Sequence, residues 1–293
     1  MLSLLALLAA QSVSPPTNAP AAEQREDEVV VTGELPVTPA EARRQVNTVI
    51  SSREGQISRF LVPVCPTVAG PAPAVRRVLA LRMREVAAAA GVEVAPPGCH
   101  ANVALVIVPD GRAFVRGLRA ARPALFADVR ADDIRQVLAR RQPVLSWTSS
   151  EAVNEDGFAA RDGGTLQVRS ASIISEPVRL STVQSVVVIE EQAAEGKSMG
   201  QLADYAVMRA SAGARPPRQR DGAAPSTILT LFDPGADAPA ELTRFDRAYL
   251  RAVYRSRANQ RSVSQMAEMS RMIAAEAARE AEEEVARDEA QMQ

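Results

Sequence analysis

Histidine occurs once in the 293 residues, at His100, which excludes any site needing two imidazoles, including the H-E-x-x-H zinc helix. Lysine also occurs once, so a serine–lysine pair would have to use Lys197, whose immediate neighbour Ser198 reads as a helix cap. No G-x-S-x-G elbow, S-x-x-K or glycine-rich phosphate loop is present; Asp162-Gly163-Gly164 fits a turn. Aromatic residues make up 3% and the net charge is −1, so the basic face and stacking rings of a nucleic-acid binder are missing. No segment reaches ~18 uninterrupted apolar residues, and no transmembrane span is expected in the mature chain. No cofactor, metal ligand set or catalytic residue is expected.

What remains is 46% hydrophobic and 24% charged, enough for a globular core. Leu2 to Ala10 is an apolar run of signal-peptide length, and Ala19-Pro20-Ala21 offers a small-x-small cleavage frame. Residues 1–21 therefore read as a signal peptide and the protein as periplasmic or secreted, although no Lys or Arg precedes the run. The alternative is a frayed apolar N-terminus. Cys65 and Cys99 fit an oxidising compartment as one disulfide; two buried free thiols are the other reading. A metal site of Cys65, Cys99 and His100 lacks both a fourth ligand and zinc-module spacing.

Residues 22–56 read as a flexible tether with one short helix opened by Thr38-Pro39-Ala40-Glu41. Ile57 to Val64 reads as a strand, Pro73 to Ala90 as an amphipathic helix ended by Gly91, and Val103 to Val108 as a central strand. Helices around Phe114–Ala121 and Asp132–Arg140 follow, then a strand at Val144–Thr148 with Trp147 in the core. Glu151 to Gly164 reads as a loop, with strands at Thr165–Ser170 and Gln184–Ile189. Ser198-Met199-Gly200-Gln201 is a capping box opening a helix to about Ala210, and Ala214 to Pro225 is a Pro/Arg linker loop. Thr227–Phe232 is a short apolar segment, and Thr243 caps a helix to Tyr254. Ser262-Val263-Ser264-Gln265 is a further box, opening a long last helix. The expected fold class is α+β: a mixed β-sheet backed by helices, a single domain over 57–272, and a charged helical tail over 273–293. That tail solvates itself, with seven acidic and two basic residues from Glu276 to Gln293.

Charge is uneven. Leu61 to Ser150 holds twelve arginines and six acidic residues, read as solvated arginine faces or as a surface for anions. Asp27-Glu28-Val29-Val30-Val31-Thr32-Gly33 resembles the TonB-box-like segment of outer-membrane receptors, and the resemblance implies strand addition to a partner's sheet edge. Packing on the protein's own domain is the alternative.

Three stretches carry a second resemblance. They are Ser58-Arg59-Phe60 through the next helix to Ala101-Asn102-Val103, then Gln201-Leu202-Ala203-Asp204-Tyr205, and then Leu242-Thr243-Arg244-Phe245-Asp246-Arg247-Ala248-Tyr249-Leu250-Arg251-Ala252-Val253-Tyr254. In this order the chain looks like a distant member of the secreted bacterial zincin-like proteins of unknown function. The resemblance implies a zincin-like order of elements in which Gln201 and Tyr205 stand at the ligand positions of the metal helix and Leu202 at the glutamate that activates water. It also implies a candidate groove of Gln201, Asp204, Tyr205, Asp246 and Tyr249. The expectation is a pseudoenzyme: a non-catalytic binding or accessory protein of the cell envelope, with an envelope protein or peptide as partner. The alternative is a hydrolase with an unrecognised acid/base pair in the same groove.

Overall fold

The computed structural model describes residues 38–126, 129–139, 142–160, 165–168, 176–217 and 224–291, all within one compact unit. The expected signal peptide, residues 22–37 of the tether with the Asp27–Gly33 run, and the Asp162–Gly164 turn lie outside these residues. So do residues 169–170 of the expected Thr165–Ser170 strand, of which 165–168 take no regular structure.

Four strands form one mixed sheet: β1 (Pro66–Ala69), β2 (Val103–Val108), β3 (Val144–Asn154) and β4 (Val178–Glu190), in the order β1-β2-β4-β3. The pairs β1–β2 and β2–β4 are parallel, and β3 runs antiparallel to β4 along one edge. The class is α+β, as the sequence leads one to expect.

The continuous apolar runs of β2 and β4 are explained by helices on both faces. Val103, Leu105, Ile107, Val187 and Ile189 face the larger layer. This layer is built from α1 (Pro39–Val49), α2 (Pro73–Ala89), α6 (Met199–Ser211), α7 (Arg244–Arg255) and α8 (Ser262–Gln291). Val106, Val186 and Val188, with Leu145 and Trp147 of β3, face the smaller layer of α3 (Gly111–Ala121), the 3-10 turn Pro123–Phe126 and α4 (Ala131–Ala139). There the Phe126 ring stacks on Trp147 with centroids 5.4 Å apart. A four-residue helix, α5 (Glu191–Ala194), leads from β4 towards α6.

Local signals set most helix starts. Thr38 accepts from the Glu41 N–H with Pro39 following, Asp110 caps α3, and reciprocal boxes close Ser198 with Gln201 and Thr243 with Asp246. The box expected at Ser262 does not form. Gln265 is instead fully buried and donates Nε2 to Ser256 Oγ at 3.0 Å, tying α8 to the end of α7.

The expected strand over 57–64 is an irregular strap. Arg59 makes a single bridge to Ser181, and its Nη1 donates to the carbonyls of Ser256, at 2.7 Å, and Val253. The regular strand begins only at Pro66, where the chain meets β2. Cys65, just before it, is bonded to Cys99, with Cα atoms 6.1 Å apart. Asn102 braces the same corner, accepting from Cys65 N–H at 2.6 Å and donating to Pro63 O at 3.1 Å.

Three further boundaries differ. The expected loop from Glu151 starts at Glu155, where Asn154 Oδ1 accepts from the N–H groups of Asp156 and Phe158 and turns the chain. The helix expected within the tether, α1, lies in the main core, with Ala42, Val46 and Val49 fully buried in the layer that α8 completes. The core also continues past Met272 through Ile273 and Ala277, and beyond Ala277 α8 has no buried residue. The arginines expected to form solvated faces do so on α2 and α3, where Arg76, Arg77, Arg116 and Arg119 are exposed. No helix among the described residues is long and apolar enough to cross a membrane.

Candidate functional site

A groove of about 880 Å³ runs along the outer edge of β3. That volume lies within the usual range for ligand clefts. One wall is β3 itself, from Pro143 to Thr148 and Ser150. The opposite side is formed by the segment Ser51–Glu54 after α1, by Asp133 on α4, by Tyr205 and Arg209 on α6, and by the segments 213–217 and 232–234.

The phase of the β3–β4 ladder determines what this wall presents. Glu190 N–H donates to Pro143 O at 2.9 Å, so Pro143 points its carbonyl inward at β4. In an antiparallel pair the inward and outward residues alternate, which turns the backbone groups of Val144, Ser146 and Thr148 outward. Among the described residues none of these outward groups has a backbone partner. Further along, the edge is covered where Val153 bridges Ala159. The open stretch from Val144 to Ser150 spans roughly 20 Å, enough for a short extended segment. The hydroxyl of Ser150 is buried on this wall without a hydrogen-bond partner.

α6 supplies the floor because it is apolar on nearly every side, as a helix sunk in a core must be. Tyr205 and Arg209 are one turn apart and so share a face. The Tyr205 ring meets Phe232 edge-on at 4.8 Å, and burial raises its hydroxyl above the ordinary tyrosine value. Asp233, in the adjacent turn, is also raised by burial, and it has no ion pair among the described residues. Arg53 and Arg130 at the rim are paired with Asp133 and, at 3.7 Å, with Glu54. Arg209 and Arg215 have no carboxylate partner among the described residues, and the Nε of each is buried and unpartnered.

Of the five residues expected in a groove, Tyr205 lines this one. Gln201 at the mouth of α6 is occupied structurally: its Oε1 accepts from Ser198 N–H at 3.0 Å and its Nε2 donates to Pro239 O at 3.0 Å. Asp204 projects to the opposite side, towards α2, where Arg82 holds it. Asp246 is fully buried at the start of α7, accepting from Thr227 Oγ1, from Ile228 N–H at 2.8 Å and from Thr243 N–H at 3.1 Å. Burial pushes its carboxyl up to about 6, against the pull of those donors. Tyr249 is fully buried, its hydroxyl has no partner, and burial raises its pKa strongly.

Reading the sequence missed Arg209, Arg215, Asp233 and the open edge of β3. Only Arg209 carried a visible signal, its spacing of four from Tyr205. Among the described residues no three His, Cys, Asp or Glu side chains converge as a metal site. No family model matches the chain, and neither any curated protein nor any solved structure is significantly similar to it.

Proposed function

We propose that this protein is an exported, non-catalytic binding protein of the cell envelope, built on a zincin-like scaffold without the metal ligands, and that it takes an extended peptide as an added strand on β3. The observation that carries the reading is the row of outward backbone groups at Val144, Ser146 and Thr148 beside a groove of peptide size. An open edge of this kind is costly to leave exposed because it pairs readily with other chains, and strand addition is a common way to use it. The apolar N-terminal run and the cysteine pair support the envelope as its location.

The test is Ser146→Pro. Its N–H points out of the sheet, so proline removes a donor from the groove without removing one from the ladder. The variant should keep a melting temperature close to the native one and lose peptide retention. Unchanged retention would reject strand addition.

The rival reading is a hydrolase. Asp233 favours it, as a half-sheltered carboxyl raised by burial beside Tyr205. It requires turnover of a retained peptide that Asp233→Asn abolishes.

A further inference from the structure

We propose that the groove recognises a carboxylate carried by its peptide ligand, through the guanidinium groups of Arg209 and Arg215. This rests on the peptide-binding reading above and names the chemistry of the ligand.

Two half-buried arginines elsewhere in the chain show how a guanidinium meets a carboxylate here. Arg82 presents its Nε/Nη2 edge to both oxygens of Asp204, at 2.8 and 2.9 Å. Arg251 presents the same edge to Glu276, with Nε donating at 3.2 Å and Nη2 completing the fork. A guanidinium offers two parallel donors along that edge, and a carboxylate offers two acceptors at matching spacing.

Arg209 is held in a similar way but its fork is empty. Its Nη1 donates to Ala214 O at 2.7 Å, on the side away from the Nε/Nη2 edge. Its Nε is shielded from solvent and no acceptor in the described residues meets it. Arg215 repeats the pattern six residues on. Its backbone N–H donates to Val49 O at 2.8 Å, which anchors the segment on the end of α1, while its Nε is buried and unpartnered. Both side chains line the groove. A sheltered guanidinium donor without an acceptor costs free energy, so two in one groove mark a place where an acceptor is missing.

The balance of charge points the same way. Of the groove's four arginines, Arg53 and Arg130 are neutralised in place by Asp133 and Glu54. Asp233 is the remaining lining carboxylate, and it lies beyond ion-pair distance of both Arg209 and Arg215. Two cations without counter-charges therefore face a wall of open strand backbone. A ligand that satisfies both features is an extended peptide with a carboxylate, from either its C-terminus or a Glu or Asp side chain.

The experiment uses the full chain, immobilised, and three mixtures of N-acetylated octapeptides randomised over Ala, Val, Thr, Ser and Gln. One mixture ends in a free carboxylate, one in an amide, and one in an amide with a single Glu at a random position. The native protein should retain one of the carboxylate mixtures at least tenfold better than the neutral amide. The C-terminal form winning identifies a chain end as the ligand, and the Glu form winning identifies a side chain. Arg209→Gln and, separately, Arg215→Gln should reduce the preference, with circular dichroism reporting that each variant is folded. Arg209→Lys, which keeps the charge and loses the fork, should restore it only in part. Equal retention of all three mixtures would overturn carboxylate recognition while leaving strand addition standing. A preference unchanged in both glutamine variants would also overturn it. Retention of none would overturn both readings.

Discussion

Arg82 and Asp204 form a two-pronged ion pair between α2 and α6, with the Asp204 side chain wholly removed from solvent and its Oδ2 also accepting from Leu242 N–H at 2.9 Å. Three parts of the larger layer thus meet at one carboxylate. A residue that looked from the sequence like part of a polar groove is a joint in the scaffold.

Removing the cation should hurt more than removing the charge it balances. Arg82→Ala leaves a buried carboxylate with one backbone donor, and should cost about 3 kcal/mol, reduced somewhat by the partial exposure of Arg82. Asp204→Asn keeps an acceptor for Leu242 N–H and should cost less. Urea denaturation of the two variants gives the order, and the reverse order would mean that the pair contributes little.

Asp246 predicts a pH dependence of stability. Its folded value of about 6 lies above the ordinary carboxylate value of 3.8. Below about pH 4 the group is protonated in both folded and unfolded chains. Between about pH 4 and 6 only the folded chain holds the proton, so this group's contribution to stability falls as the pH rises, and it levels off above about pH 7. Asp246→Asn removes that loss. The stability difference between variant and native protein should therefore move in the variant's favour by on the order of 2–3 kcal/mol from pH 4 to pH 7. A difference constant with pH would show that the carboxyl stays charged.

The Cys65–Cys99 bond closes a loop with a sequence separation of 34. Reduction, or replacement of both cysteines by serine, should lower stability by roughly 3–4 kcal/mol on the chain-entropy argument. Asn102 still braces the corner, so the fold should survive. Intact mass without reductant, compared with mass after alkylation, reports whether the bond is present in protein purified without reductant.

Gly70 follows β1 at a φ of +102°, and a Cβ there would lie 1.8 Å from Ile107 O. Neither a backbone carbonyl of the central strand nor a left-handed φ can give way cheaply. Gly70→Ala should cost more than about 3 kcal/mol or prevent folding, whereas Gly117→Ala, which meets nothing within 4 Å, should be close to neutral or stabilising in α3. Thermal melts of the two side by side make the comparison.

How much of this was legible in the sequence follows the range of each interaction. The Ser198–Gln201 box and the Val103–Val108 strand are visible because their signals span a few residues. The far half of β3 is not, because Ser149, Ser150 and Glu151 are polar and gain strand geometry only by pairing with β4. The packing of α1 is hidden for a similar reason: Val46 is a core residue only because α8, more than two hundred residues later, covers it. The groove was the least legible feature. Arg209 and Arg215 are two arginines in an arginine-rich chain, and what sets them apart is that each lines the groove with a buried Nε that meets no acceptor in the described residues.

The contact between α1 and α8 has a consequence for the order in which the chain can fold. The sheet is parallel at its centre, and β4, its third strand in space, is the last made. The first helix must then wait for the last before Ala42, Val46 and Val49 are covered. Contacts this distant along the chain carry a large loop-closure cost and slow the folding of the whole unit. Until the ribosome has released residues up to about Ala277, α1 remains a short amphipathic helix with a bare apolar face. The apolar face of the first helix is therefore the last part of the core to be covered as the chain is made.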